Sequence, residues 1–131
     1  MEYLNQKEDA IKIFLQIGKS IKASFEIRCQ AALSLYDMGE TADGLKIGHL
    51  LETEDKWSSE HKLQLAETFA RVGHLLGAIE TMKLVASNPE SNTDQKMIAF
   101  DFLLGNNQEG FVNHIYQQIV NRLANDAKSI H

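Results

Sequence analysis

Apolar positions recur with the period of an α-helix along almost the whole chain. The clearest stretch is 108–127, where Val112, Ile115, Tyr116, Ile119, Leu123 and Ala124 form one stripe. Asn113, Gln117, Gln118, Asn121, Arg122 and Asp126 lie opposite it. Six similar stretches precede it, at about 5–18, 24–38, 42–54, 59–72, 75–87 and 94–105. Ser24, Thr41, Ser58 or Ser59, and Asn92 or Thr93 stand where N-caps are needed, with side-chain oxygens able to accept otherwise unpaired backbone N–H groups. Gly18, Gly39, Gly73, Gly105 and Asn106 stand where helices end, and Pro89 lies in the loop-like run SNPESNT. No stretch alternates as a half-buried strand does. The pattern predicts an all-α chain with short connections, so that consecutive helices are antiparallel neighbours.

An internal comparison separates a closed bundle from stacked helix pairs. Ala32, Leu35 and Gly39 fall on Ala66, Phe69 and Gly73 at an offset of 34, and Gly44-Leu45 then falls on Ala78-Ile79, as does Ala10-Ile11. A third unit aligns at 33: Ala99, Phe102, Asn106 and Gly110 match Ala66, Phe69, Gly73 and Gly77. A small residue in mid-helix, with another early in the next helix, allows close approach within a pair. The large residue fills the space between pairs. The expected architecture is a right-handed α-α superhelix of about seven antiparallel helices. It forms a single domain over 1–131 with units at about 8–24, 25–58, 59–92 and 93–127.

The segments AALSLYDMGETADGL and AETFARVGHLLGAI resemble the tetratricopeptide repeat in their period and in small-x-x-large-x-x-x-Gly followed by small-aliphatic. They are equally similar to the HEAT class, including the short HEAT-like units of phycobilin lyases, through Arg28 ahead of Ala31-Ala32 and the Gly39-Glu40 turn. Neither unit has the early tryptophan or the tyrosine set of a tetratricopeptide repeat, and Pro89 comes one residue early. The resemblance implies binding of a peptide or protein in a concave groove, and transfers no catalytic residue and no cofactor.

The 131 residues are enough for one core, and the single cysteine, Cys29, permits no internal disulfide. No apolar run is long enough to span a bilayer, and the start MEYLNQKEDA has acids where a signal peptide needs bases, so a cytoplasmic protein is the expectation. The net charge of −5 is local: residues 37–60 hold seven acids against Lys46 and Lys56. Nucleic acid and anionic membrane both need a basic footprint, so the expected partner is a basic protein, and the alternative is a solvated face that keeps the chain soluble.

Trp57, between Glu54-Asp55 and Ser58, is the first candidate for a partner anchor, with Glu52, Glu40, Asp43, Asp37 and Tyr36 around it. The competing reading of Trp57 is a hydrophobic staple over the helix that starts near Ser58. Among His49, His61, His74, His114 and His131 no two are three or four apart, and the recurrence of Gly-His-Leu-Leu at 48–51 and 73–76 falls at different repeat positions. Cys29 reads as a buried small hydrophobe, and Met38, Met82 and Met97 as core. The C-terminal helix reads either as a cap with an Asn/Gln-rich outer face or, through Ile115, Ile119 and Leu123, as the seam of a weak homodimer. Together these features suggest a non-enzymatic interaction module, such as an immunity or antitoxin-type inhibitor or a small adaptor. The alternative is a HEAT-like lyase or chaperone-like protein holding a pigment or other apolar ligand in its groove.

Overall fold

A computed structural model describes the backbone of residues 2–54 and 56–129, and contains seven helices and no strand among those residues. They are α1 (Glu2–Lys19), α2 (Phe25–Asp37), α3 (Thr41–Thr53), α4 (Ser59–Arg71), α5 (Leu75–Ser87), α6 (Thr93–Gly105) and α7 (Glu109–Ser129). Each lies within a few residues of the stretch its periodicity predicts. None is long and apolar enough to cross a membrane.

Two kinds of connection alternate. Entry into α2, α4 and α6 is fixed by a side chain: Ser24, Ser58 and Asn92 accept from the backbone N–H of Ile27, His61 and Gln95, and at α6 Gln95 returns the bond in a capping box. Entry into α3 and α5 has no side-chain cap; the N-cap position of α3 is Glu40, not Thr41. There the preceding helix closes in a tight turn instead. Glu40 N–H bonds Leu35 carbonyl and His74 N–H bonds Phe69 carbonyl, each across a glycine at positive φ, Gly39 (85°) and Gly73 (79°). The turn after α6 is the same, with Gln108 N–H on Leu103 carbonyl, but its left-handed residue is Asn107 (63°), not Asn106 or Gly105.

Consecutive helices run antiparallel, as their contacts show. A Cβ built on Gly44, early in α3, would sit 2.8 Å from the carbonyl oxygen of Ala32 in mid-α2, so these two backbones approach as the small-residue pattern requires. Gly48 in α3 lies under Phe69 of α4, and Gly77 in α5 touches the same ring. Because α3 is antiparallel to both α2 and α4, those two helices run parallel.

The large residues expected between pairs in the first two units, Leu35 and Phe69, are fully buried, and so are Ala66, Ala78 and Ala99. The core forms two connected clusters. One is built on Phe25, Leu35, Ile47, Leu51, Leu65 and Phe69, the other on Ala66, Met82, Val85, Ala99, Leu103 and Val112. The third unit departs from its predicted alignment by one position. Leu103 is fully buried while Phe102 is half-buried, because the Asn92–Gln95 capping box starts α6 at Thr93. Met97, expected in the core, is exposed: α6 buries only Ala99 and Leu103.

The Gly44–Ala32 approach gives a direct check. Gly44→Ala forces α3 off α2 against a backbone atom that cannot rotate away, and should lower unfolding free energy by about 1–3 kcal/mol. Urea denaturation followed by circular dichroism measures it.

Candidate functional site

The acids of 37–60 do not form one surface. Tyr36 (half-buried), Asp37 (exposed), Glu40 (half-buried) and Asp43 gather at the α2–α3 turn, where Asp43 lies 3.8 Å from Lys46. Glu52, Glu54 and Glu60 lie at the other end of α3, whose thirteen residues separate the two groups by roughly 20 Å. Glu52 is 3.2 Å from His49 Nδ1. Asp55 lies outside the described residues.

Two of the chosen residues are engaged by the fold. Glu54 Oε2 accepts from Arg28 Nη1 at 2.7 Å, and Arg28 Nε donates to the Gly18 carbonyl at 2.9 Å. Arg28 is the largest fully buried side chain among the described residues. Its cation sits beside the final turn of α1 and the residue that follows α3, where unpaired carbonyls give two helix ends their negative potential. Nη2 has no partner among the described residues. Trp57 is half-buried, with Nε1 donating to the Leu51 carbonyl at 3.0 Å. Its ring meets Phe25 edge-on, with centroids 4.7 Å apart, and His61 at 5.4 Å, while Lys56 Nζ lies 4.8 Å above it. It therefore caps the end of α3 and closes over the first residue of α2 as well as the first turn of α4. The next joint has the same form in polar chemistry: Ser91 Oγ donates to the Val85 carbonyl at 2.7 Å and meets Ser59, the first residue of α4, at 2.5 Å.

Two pairings were missed in the sequence. His49 and His74 come together over Phe69, with ring centroids 5.2 Å apart, although the Gly-His-Leu-Leu recurrence that contains them falls out of repeat register. Only the antiparallel return of α4 between them makes them neighbours. The second is Arg28 with Glu54, 26 residues apart; a lone arginine within an apolar stripe was the available signal. No group of three or more His, Cys, Asp or Glu among the described residues is arranged to hold a metal ion.

A groove of about 230 Å³ runs between the parallel helices α2 and α4. Its walls are Cys29, Gln30, Leu33, Gln64, Glu67, Thr68 and Arg71. Cys29 is almost fully buried in its floor, and burial pushes its thiol up to about 11 although a bond from Thr68 acts in the opposite direction. A thiol held neutral is a poor nucleophile. A smaller cavity of about 60 Å³ between α3, α4 and α5 is lined by Glu52, Glu54, Trp57, Lys62, Leu65 and Leu84 among others. Compared with protein-family models, with curated proteins and with solved structures, the chain matches none.

These placements generate three predictions. Glu54→Ala leaves the Arg28 charge buried without its partner and should cost about 3 kcal/mol, whereas Arg28→Met with Glu54→Leu, which removes both charges, should cost far less. Equilibrium unfolding of the three proteins measures the difference. Cys29 should react with an alkylating reagent at pH 8 more than about a hundredfold more slowly in the native protein than in urea. Its raised value also has a sign for stability. The unfolded thiol ionises from about 9.0 while the folded one holds its proton to about 11, so stability should fall between those pH values. Cys29→Ala should flatten that decline.

Proposed function

We propose that this protein is a non-enzymatic interaction module of helical-repeat type that binds a basic partner protein. Its internal spacing supports the repeat reading. Helices α2, α4 and α6 open at 25, 59 and 93, and α3, α5 and α7 at 41, 75 and 109. The left-handed residues are 39, 73 and 107, and the carbonyl-capping side chains are 57 and 91. Every step is 34 residues, which favours the tetratricopeptide-like over the HEAT-like form of a right-handed superhelix. Arg28, Lys62 and Lys96 keep the same step, so the same helix position carries a cation in all three units.

The observation that carries the function is the α2–α4 groove. It is open, walled by side-chain amides and charges, and bounded by two parallel helices, which suits an extended peptide segment. Gln30 and Gln64 take equivalent places on the two helices and can each pair with a peptide group. Glu67 in the wall, with Asp37, Glu40 and Asp43 at the end toward which both helices run, supplies negative potential for a basic side chain. Arg71 leaves one place for a carbonyl or carboxylate of the same segment. Trp57 and Glu54, which the fold already employs, contribute by holding α4 beside α2. An immunity-type inhibitor and a small adaptor differ within this reading only in which basic protein is bound.

Capture from native extract, with wild-type protein beside Asp37→Lys/Glu67→Lys, tests it. Wild type should retain a basic protein that the double variant loses, and 0.5 M salt should release it, since exposed charges are screened beyond about 8–10 Å at physiological ionic strength. Retention unaffected by charge reversal, or a retained protein that is acidic, overturns the reading.

A further inference from the structure

The outer face of α7 carries a line of exposed apolar side chains. Val112 and Ile115 are buried, yet Tyr116 and Leu123 are each 63% exposed and Val120 is 37% exposed. These positions are i, i+4 and i+7 of one helical stripe, with half-buried Ile119 on its inner edge. Thirty-four residues earlier, the places of Tyr116, Ile119 and Val120 are taken by Met82, Val85 and Ala86, which are nearly or fully buried beneath α6 and α7. Another thirty-four earlier, Gly48 and Leu51 lie beneath α4. Tyr116 and Ile119 thus lie on the face where each earlier unit receives the next helix, whereas the place of Val120 is taken by exposed Glu52 in the first unit and that of Leu123 by exposed Pro89 in the second. The helix also runs eight residues past position 121, the counterpart of the last residue of α5, and residues 121–128 are all exposed.

We propose that a second copy of this chain covers this face, the two α7 helices packing antiparallel about a two-fold axis between Ile119 and Val120. Tyr116 then meets the partner's Leu123, and Ile119 the partner's Val120, so an i, i+3, i+4, i+7 stripe is complementary to itself. Charge selects this occupant. Beside the stripe run Asn113, Gln117 and Asn121, with Gln117 Nε2 donating to Asn121 Oδ1 at 3.2 Å, so a chain of net charge −5 meets its copy there across neutral amides. A basic protein finds no acid row beside the stripe, and an anionic membrane finds no row of bases. At the ends, antiparallel packing lays the last-turn Lys128 within one turn of the partner's Glu109, which stands in the first turn. This contact is separate from the α2–α4 groove and does not depend on what the groove binds.

Sedimentation of the full chain tests the pairing. The weight-average mass should rise from 14.8 kDa toward twice that value between about 5 and 500 μM, the regime expected of a contact smaller than the ~800 Å² per partner of a standard interface. Tyr116→Glu with Leu123→Glu should raise the dissociation constant at least about tenfold with an unchanged helical circular-dichroism spectrum. With buried Cys29 left in place, Val120→Cys, near the axis, should form an intermolecular disulfide under mild oxidation, while Asn113→Cys, far from it, should not. A wild-type monomer throughout the concentration range overturns the proposal, as does a dimer indifferent to the double variant. Cross-linking by Asn113→Cys as efficient as by Val120→Cys overturns the antiparallel arrangement.

Discussion

A guanidinium with no access to water sets the terms for the first half of the molecule. Arg28 must find its compensation inside the protein, because an ion of this size loses several kcal/mol of hydration on burial. It finds a carbonyl at the end of α1, a carboxylate just beyond the end of α3, and the negative ends of both helices. Each is in place only when α1, α2 and α3 are packed together. The charge therefore does less to hold the helices together than to exclude other arrangements of them. A helix triplet slipped by one turn would keep much of its apolar contact and lose all of its electrostatic compensation.

The joint at Trp57 continues the same constraint into α4. Between Thr53, the last residue of α3, and Ser59, the first of α4, the chain has five residues in which to turn. The indole satisfies a carbonyl at the end of α3 and covers Phe25, while Ser58 caps α4. One unit later Ser91 and Ser59 do this work with hydroxyls, and Asn88 Nδ2 adds a bond to Ser59. The two joints show that this position requires a donor to the helix-terminal carbonyl and contact with the first residue of the preceding even-numbered helix. The chemistry of that contact is free to differ. That freedom accounts for a lone tryptophan which, in sequence, has the look of a binding anchor.

What could be read from the chain is what depends on local spacing. Seven helices, the caps at Ser24, Ser58 and Asn92, the turns at Gly39 and Gly73, and the close approach of Ala32 to Gly44 all follow from periodicity and from the chemistry of single residues. The third unit lies one position from where its residue types place it, because Ala99 and Phe102 imitate Ala66 and Phe69 whereas the capping box at Asn92 sets where the helix begins. The candidate site is less legible, since distance along the chain does not measure the separation of charges in the fold. Asp37 and Glu54 are 17 residues apart, yet an antiparallel helix carries them to opposite ends of a unit. His49 and His74 are 25 apart and touch. Grouping of side chains in a helical stack is decided by the register between helices, and composition within a window carries no record of it.

The same register explains why the α2–α4 side and the α7 face differ in composition. Side chains on the groove side of even-numbered helices are spared from packing, so Gln30, Gln64, Glu67 and Arg71 can be polar without cost to the core. At the places of Tyr116 and Ile119 the two earlier units carry Gly48 and Leu51, then Met82 and Val85, because a following helix covers them. At α7 Tyr116 and Ile119 keep that character and Val120 and Leu123 extend the apolar line, and exposing such side chains costs about 25 cal/mol for each Å² of apolar surface left in water. A face meant only for solvent would carry there the amides that its own flank already has. The boundary between amide and apolar positions on α7 is the edge of the face on which the proposed second copy packs.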